Sequence, residues 1–281
     1  MIGVFQLILA AVLWGMIGPV SKIAFQNGIT PLEVAFWRGL LGGALFLGEA
    51  FARKNTFPRR NDLLATIGFA ILGVAGLEAS NLITVQDGGA AFASVMLYGA
   101  PIWVAIFSRM FFGERLSSTK ILAIFLAVGG VAGVAFSGSS TSLSFSQTAI
   151  IFGVISGLSY ALFYIFGKIY FGRFQPAAIY GLAFPLASLA IFPFVTFAHK
   201  NTESWLVLLF NGVVSTYLAY FFYSRGLKKI EATRAAVITS LEPVVSAVLA
   251  YVMWNEVFST SGYVFSGLVF LGIFLMIQSR D

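Results

Sequence analysis

Long apolar stretches dominate the chain, and short polar clusters separate them. A helix needs about 20 apolar residues to cross the hydrocarbon core of a bilayer, and runs of this kind recur along the whole sequence. The breaks between them contain charged residues, Asn or Gly. The pattern predicts an all-α integral membrane protein with ten transmembrane helices. The predicted helices are 3–25, 32–52, 62–84, 90–112, 118–136, 147–170, 176–198, 204–225, 232–254 and 260–279.

The composition excludes a soluble globular protein. Hydrophobic residues make up 59% of the 281 positions and charged residues only 10%, whereas an average soluble domain is roughly 25% charged. Thirty Phe and 29 Gly fit lipid-facing surface and close helix packing. There are too few charged residues to cover a water-exposed surface.

The basic residues predict the orientation in the membrane. Lys and Arg are enriched in cytoplasmic loops, and with the N-terminus inside, most of the 17 basic residues fall on the cytoplasmic side. Lys22, Arg38 and Lys200 are the exceptions. We therefore expect a multi-pass protein of the cell (inner) membrane with both termini cytoplasmic. The net charge of +6 is explained by these loops, so no nucleic-acid partner is expected.

The two halves of the chain repeat each other. Residues 85–134 align without a gap on 227–276, and the identities that carry weight are Pro101 with Pro243, Glu114 with Glu256, Ser117 with Ser259, and Gly130 with Gly272. We predict a first five-helix repeat at 1–136, a linker at 137–146 and a second repeat at 147–281. Five is an odd number, so the second repeat is inverted. Inverted repeats place a binding site near the midplane and allow alternating access.

Several motifs resemble the ten-helix EamA group of the drug/metabolite transporter superfamily. They are Leu13-Trp14-Gly15, Lys22, Pro31, Arg38, Ala100-Pro101, Gly113–Ser117, 232–241, Glu242-Pro243 and Asn255-Glu256. The second half departs from the pattern with Ser159-Tyr160 in place of Trp-Gly and Asn255 in place of Gly. The resemblance covers the whole chain and implies a ten-helix exporter of metabolites such as amino acids. Within the group, the chain is most similar to aromatic amino acid exporters of the YddG type.

Charged residues within predicted helices need a partner or a role, because lipid does not tolerate them. Lys22 could bind a substrate carboxylate or gate the protein, or its ammonium could reach the membrane surface. Glu78 shares a helix face with Asn81, and could hold a substrate ammonium, titrate in proton coupling, or pair with a neighbouring helix. For Arg38 we expect pairing or exposure at the membrane surface.

Aromatic residues with polar tips lie in stripes on several helices and favour a chamber for amphipathic solutes. With the charged candidates they form the predicted substrate-binding set: Trp14, Lys22, Glu78, Asn81, Tyr98, Tyr160, Tyr164, Tyr220, Thr239 and Glu242. Pro101 and Pro243 interrupt helical hydrogen bonding, so with Gly18 they are the predicted hinge or gating residues. A static kink is the alternative.

Other function classes lack their motifs. The chain contains no zinc-protease H-E-x-x-H, no phosphate-binding loop, no Cys and one His, so we expect no catalytic residue, metal or cofactor. A channel filter is also missing. A secondary transporter of small molecules, surrounded by lipid, is the prediction. Multidrug or nucleoside/sugar transport, and less favourably a membrane enzyme, remain alternatives.

The Gly-x3-Gly spacings at 39–43, 129–133 and 153–157 fit either internal packing or a dimer, so monomer and homodimer stay open.

Overall fold

The structure is a computed structural model that describes residues 1–137, 146–255 and 259–279. These residues form helices and connecting loops with no strand, as predicted. We label the transmembrane helices α1 (Ile2–Gln26), α2 (Pro31–Ala52), α3 (61–88), α4 (90–112), α5 (Ser118–Ser137), α6 (Gln147–Tyr170), α7 (Pro176–Phe194), α8 (Thr202–Leu227), α9 (Ala232–Trp254) and α10 (Thr260–Gln278). The predicted linker falls mainly at 138–145, outside the described residues.

Helices α3 and α4 form one helical run, Asn61–Phe112, of 52 residues. A straight helix of this length would measure about 78 Å, far more than the hydrocarbon core of about 30 Å. Gly89 interrupts the run with φ 82° and ψ 160°, a conformation open to glycine. The 24-residue helix α6 contacts residues on both sides of this break, so the chain folds back there. The ten predicted crossings are confirmed.

Several helices are interrupted at equivalent places in the two halves. A π-helical turn lies within α3 at Phe69–Ala75 and within α8 at Val213–Leu218. Helix α4 restarts at Ala100 after Gly99. The first segment of α9 runs from Ala232 to Thr239, and the helix restarts at Glu242. Pro101 and Pro243 each lie in the first turn of the restarted segment, where a missing N–H is tolerated.

The repeat is inexact at its first helix. Helix α1 consists of Ile2–Gly15 and Ile17–Gln26, joined at Met16, whereas α6 is continuous from Gln147 to Tyr170. The predicted end of α7 at 198 is wrong, because that helix finishes in a 3-10 turn at Phe192–Phe194 that contains Pro193.

The two halves are interlocked by helix pairs that cross between them. Helix α1 packs on α8, α2 on α7, and α5 on α10. Small residues make these approaches possible: a Cβ on Gly43 would lie 2.4 Å from Pro185 Cδ, and one on Gly39 would lie 2.5 Å from Ser188 Oγ. The glycine spacings therefore serve internal packing, except at Gly129, where nothing lies within 4 Å.

We call the end of the helix bundle at which α1 begins the N-terminal face. The other end of the bundle is the opposite face. At the N-terminal face the Glu114 carboxylate accepts hydrogen bonds from Ala232 N (2.9 Å), Thr233 N (3.3 Å) and Thr233 Oγ1 (2.6 Å). Lys120 Nζ lies 2.6 Å from Glu231 Oε2. Glu114 thus caps α9 and joins the two halves. Its predicted counterpart Glu256 lies outside the described residues.

We predict that Gly130→Ala destabilises the protein. The new Cβ would lie 2.7 Å from Val269 Cγ2 and 2.8 Å from the Phe265 carbonyl oxygen, and forced overpacking costs about 1–3 kcal/mol. A lower melting temperature of the detergent-purified protein is expected. The neighbouring Gly129→Ala is the matched control and should leave stability unchanged or slightly raised, since alanine is the better helix former. Equal melting temperatures for the two variants would contradict this packing.

Candidate functional site

A cavity of about 280 Å³ lies among α1, α3, α4, α6, α8 and α9, with one residue from α2. Predicted site residues line much of it: Trp14, Gly18, Glu78, Asn81, Tyr98, Tyr160, Tyr220 and Glu242. The remaining lining residues are Gly15, Ile17, Arg38, Leu77, Leu97 and Ser246. We call this space the central cavity.

Helix interruptions shape the central cavity. The break at Met16 lies between the lining residues Trp14 and Gly18, and the restart of α9 begins with Glu242. At this level α1 and α9 approach closely: a Cβ on Gly15 would lie 2.8 Å from Val245 and 2.9 Å from the Glu242 carbonyl oxygen. Glycine is therefore required where the two broken helices meet.

Arg38 and Glu78 form an ion pair at the cavity wall. Arg38 Nη2 lies 3.2 Å from Glu78 Oε1, and the side chains are 15% and 28% exposed. The pairing expected for Arg38 is thus present. Glu78 pairs with a neighbouring helix, which was one of its predicted roles, and it also lines the cavity. Sequence reasoning left Arg38 out of the site because its partner depends on how α2 packs against α3.

Glu242 brings a second carboxylate to the central cavity. Tyr160 Oη donates a hydrogen bond to Glu242 Oε2 over 3.3 Å, and the Tyr98 ring lies edge-on to Tyr160 at 6.4 Å between centroids. As the first residue of a helical segment, Glu242 is also stabilised by the helix dipole. In the described part of the chain, no group of three or more His, Asp or Glu residues could hold a metal ion.

The aromatic wall carries polar groups that lack partners. The Trp14 ring packs on Tyr220 at 5.0 Å and is only 4% exposed. Among the described residues, Trp14 Nε1 and Asn81 Oδ1 have no hydrogen-bond partner. Buried polar groups are rarely left unpaired. Both atoms are themselves buried, so a solute could reach this donor and this acceptor only after the surrounding side chains move.

Tyr164 and Thr239 were predicted as binding residues, but they lie outside the cavity lining. Their hydroxyl oxygens are 2.6 Å apart, and both side chains are 1% exposed. Each lies on its helix closer to the N-terminal face than the lining residues Tyr160 and Glu242 do. They belong to a packed layer beneath the cavity.

Tyr180 and Tyr223, both fully buried, complete this layer, which we call the aromatic layer: Tyr164, Tyr180 and Tyr223. Tyr223 packs on Trp14 at 5.2 Å and on Tyr164 at 5.5 Å, and Tyr180 packs on Tyr220 at 5.1 Å. Sequence reasoning missed both residues. Tyr223 could have been found from its spacing, one turn beyond Tyr220, whereas Tyr180 stands in an apolar run without a polar stripe.

Lys22 lines a smaller cleft rather than the central cavity. The cleft holds about 180 Å³ and includes Gly18, Ser246 and Trp254, and the Lys22 ammonium lies 4.8 Å from the centre of the Trp254 ring. Gly18 and Ser246 line both spaces. A second cleft of about 120 Å³ shares Glu78 and Asn81 with the central cavity. The cavity thus continues toward the opposite face.

The predicted hinge residues separate into two groups. Gly18 lines the cavity, whereas Pro101 and Pro243 lie beside it at the helix restarts. At both restarts the backbone angles of Gly99, Ser240 and Leu241 stay in the right-handed helical region, and a hinge role for the prolines stays a prediction beside the static kink.

A family profile and several full-length relatives all relate this chain to transporters. The sequence profile described as "EamA-like transporter family" matches residues 1–136 and again 147–278. A transporter from Archaeoglobus fulgidus, named as uncharacterized, is 27% identical, with 98% of each chain covered. An uncharacterized inner membrane transporter of Salmonella typhimurium, YicL, is 22% identical over 98% of this chain and 94% of its own length.

A relative from Bacillus subtilis, the uncharacterized transporter YwfM, is 23% identical over 96% of this chain and 91% of its own length. A solved crystal structure superimposes with a TM-score of 0.84 at 16% identity, covering 97% of this chain and 95% of that one. At this identity the solved structure supports the fold alone.

We predict that Arg38→Met and Glu78→Met each destabilise the protein more than the double variant does. Removing one partner leaves a charge unpaired in the membrane domain, which lowers the free energy of unfolding by about 1–3 kcal/mol. Removing both partners leaves two apolar side chains and no unpaired charge. The melting temperatures of the four proteins in detergent measure this coupling. Additive losses would mean that the ion pair contributes nothing to stability.

Proposed function

Because the chain belongs to the EamA-like transporter family, we propose that it exports small amphipathic zwitterions across the cell (inner) membrane by alternating access. Amino acids are the favoured substrates, and aromatic ones among them. The protein acts as a secondary transporter and not as an enzyme.

One observation carries this proposal: the central cavity combines charges of both signs with an aromatic wall. Arg38 offers a guanidinium for a carboxylate, and Glu78 and Glu242 offer carboxylates for an ammonium group. The rings of Trp14 and Tyr220 provide apolar area with polar tips. A molecule with a charged amino acid head and an aromatic side chain matches each of these features.

The size of the cavity is compatible with a small solute. Pockets for drug-sized ligands measure about 300–1,000 Å³, and the central cavity holds about 280 Å³, close to the lower end of that range. One guanidinium against two carboxylates gives the lining an acidic excess, which makes small organic amines the second candidate.

The basic loops support a cytoplasmic location for the N-terminal face and both termini. In that orientation, the clefts beside Lys22 and Asn81 connect the central cavity with the outside. The aromatic layer and the Tyr164–Thr239 hydrogen bond close it from the cytoplasm. Export then requires the repeats 1–136 and 147–281 to rock, with the restarts at Pro101 and Pro243 as hinges.

We predict that Glu78→Gln and Tyr160→Ala lower the transport rate in reconstituted liposomes by about tenfold or more, because each removes a polar contact needed by the bound solute. Labelled amino acids, nucleosides and cationic amines form the substrate panel. Asp87→Asn, on the same helix but exposed, and Tyr251→Ala, 50% exposed on α9, are the matched controls. Parental rates for both cavity variants would rule out this site.

Transport measurements in the same liposomes identify the energy source of export. Export that accelerates with an imposed pH gradient indicates proton coupling, for which Glu78 and Glu242 are the available carboxylates. Export that follows only the solute gradient indicates facilitated uniport.

A further inference from the structure

A second and larger cavity opens at the N-terminal face. It holds about 540 Å³ and lies where α2 ends, α7 begins and α8 ends. We call it the N-terminal vestibule. Its lining consists of Phe46, Glu49, Arg53, Asn55, Gln175, Pro176, Ala177, Phe221, Ser224, Arg225 and Lys228.

The charges in the vestibule are unbalanced. Arg53, Arg225 and Lys228 are opposed by one carboxylate, Glu49. That carboxylate is already engaged, since Arg53 Nε lies 3.0 Å from Glu49 Oε1 and Tyr217 Oη donates to Glu49 Oε2 over 3.1 Å. The vestibule lining therefore has two more basic side chains than carboxylates.

Neither Arg225 nor Lys228 has a carboxylate within 4.0 Å among the residues that the structure describes. The Arg225 guanidinium packs on the Phe221 ring at 3.9 Å, which orients it without neutralising it. Partial burial and the neighbouring Arg225 lower the pKa of Lys228. The two side chains therefore form a positive pair with no protein counter-charge.

The start of α7 adds to this positive character. Gln175, the residue before the helix, makes no capping hydrogen bond with its side chain, and the first turn contains no acidic residue. By contrast, side chains of Thr30, Ser146 and Asn201 cap α2, α6 and α8. The backbone N–H groups and dipole at a helix start attract anions.

We propose that the N-terminal vestibule is a binding site for an anionic oxygen group, a carboxylate or a phosphate, held mainly by Arg225 and Lys228. The group belongs either to a soluble metabolite or to a lipid headgroup. Both sources share the same chemistry of oxygen atoms that accept charge-assisted hydrogen bonds.

Membrane orientation alone does not account for these two residues. Basic residues set topology by lying on the cytoplasmic side, and Lys54, Arg59, Arg60 and Lys229 lie outside the vestibule lining. Arg225 and Lys228 are also exposed, but they line the vestibule. Topology needs positive charge on this face, but it does not require two cations to line one cavity.

The vestibule adjoins the aromatic layer. Phe46 lines the vestibule and packs on Tyr180 at 5.2 Å, and Tyr180 in turn packs on Tyr220, which lines the central cavity. If the N-terminal face is cytoplasmic, the site lies where an exported solute arrives. Only that last placement rests on the proposed function; anion binding itself does not.

The test measures the binding of inorganic phosphate and of benzoate to the detergent-purified full chain by calorimetry at fixed ionic strength. Arg225→Gln and Lys228→Gln should each weaken binding by about tenfold, as expected for the loss of one charge-assisted contact. Arg225→Lys, which keeps the charge, should retain most of the affinity. Lys229→Gln is the matched control, exposed on the same loop, and should bind as the parent does.

A second arm replaces the soluble anions with short-chain phosphatidylglycerol. Soluble-anion binding that depends on Arg225 and Lys228 assigns the site to metabolites, and lipid binding alone with the same dependence assigns it to headgroups. No binding in either arm, or an equal loss in Lys229→Gln, overturns the proposal. Tyr160→Ala should leave vestibule affinity unchanged, so a failed transport prediction and a failed vestibule prediction are separable.

Discussion

Hydrocarbon cannot hydrogen-bond to a peptide group, and this constraint determines where the protein can be irregular. Inside a bilayer a helix can be interrupted only where neighbouring protein shields the freed backbone groups. The breaks at Met16, Gly99 and 240–241 are all next to lining residues of the central cavity. Helices α5 and α10, which contribute no residue to the cavity lining, are continuous. Irregular backbone and the candidate site therefore coincide for a single physical reason.

The same constraint governs the charged side chains. Glu33 is fully buried near the opposite face, where its carboxylate contacts Lys200 Nζ at 2.5 Å and accepts a hydrogen bond from Ala198 N. Trp37, Phe197 and Trp205 surround that ammonium group. This pair is enclosed and fastens α2 to the loop between α7 and α8. The Arg38–Glu78 pair is also close but borders a cavity, so its charges stay accessible.

Hydropathy was sufficient to predict the ten crossings, because the bilayer fixes both the length and the composition of a spanning helix. It could not identify the partner of Arg38, since that depends on how α2 packs against α3. Spacing along one helix placed Tyr160 and Tyr164 on a common stripe, yet only Tyr160 lines the cavity. One helical turn is 5.4 Å, enough to move a side chain from a cavity into the packed layer beneath it. Depth along the membrane normal is the quantity that periodicity does not encode.

The two halves share their interruptions but differ in their first helices, and this difference shapes the central cavity. Equivalent breaks in α4 and α9, and equivalent π-helical turns in α3 and α8, give the halves matching places to bend. Helix α1 is broken beside the cavity, whereas its counterpart α6 is continuous and presents Tyr160 to the cavity and Tyr164 to the aromatic layer. An exact repeat would offer a solute the same surface from both sides. Because α1 and α6 differ, the walls that these two helices contribute to the cavity are unequal.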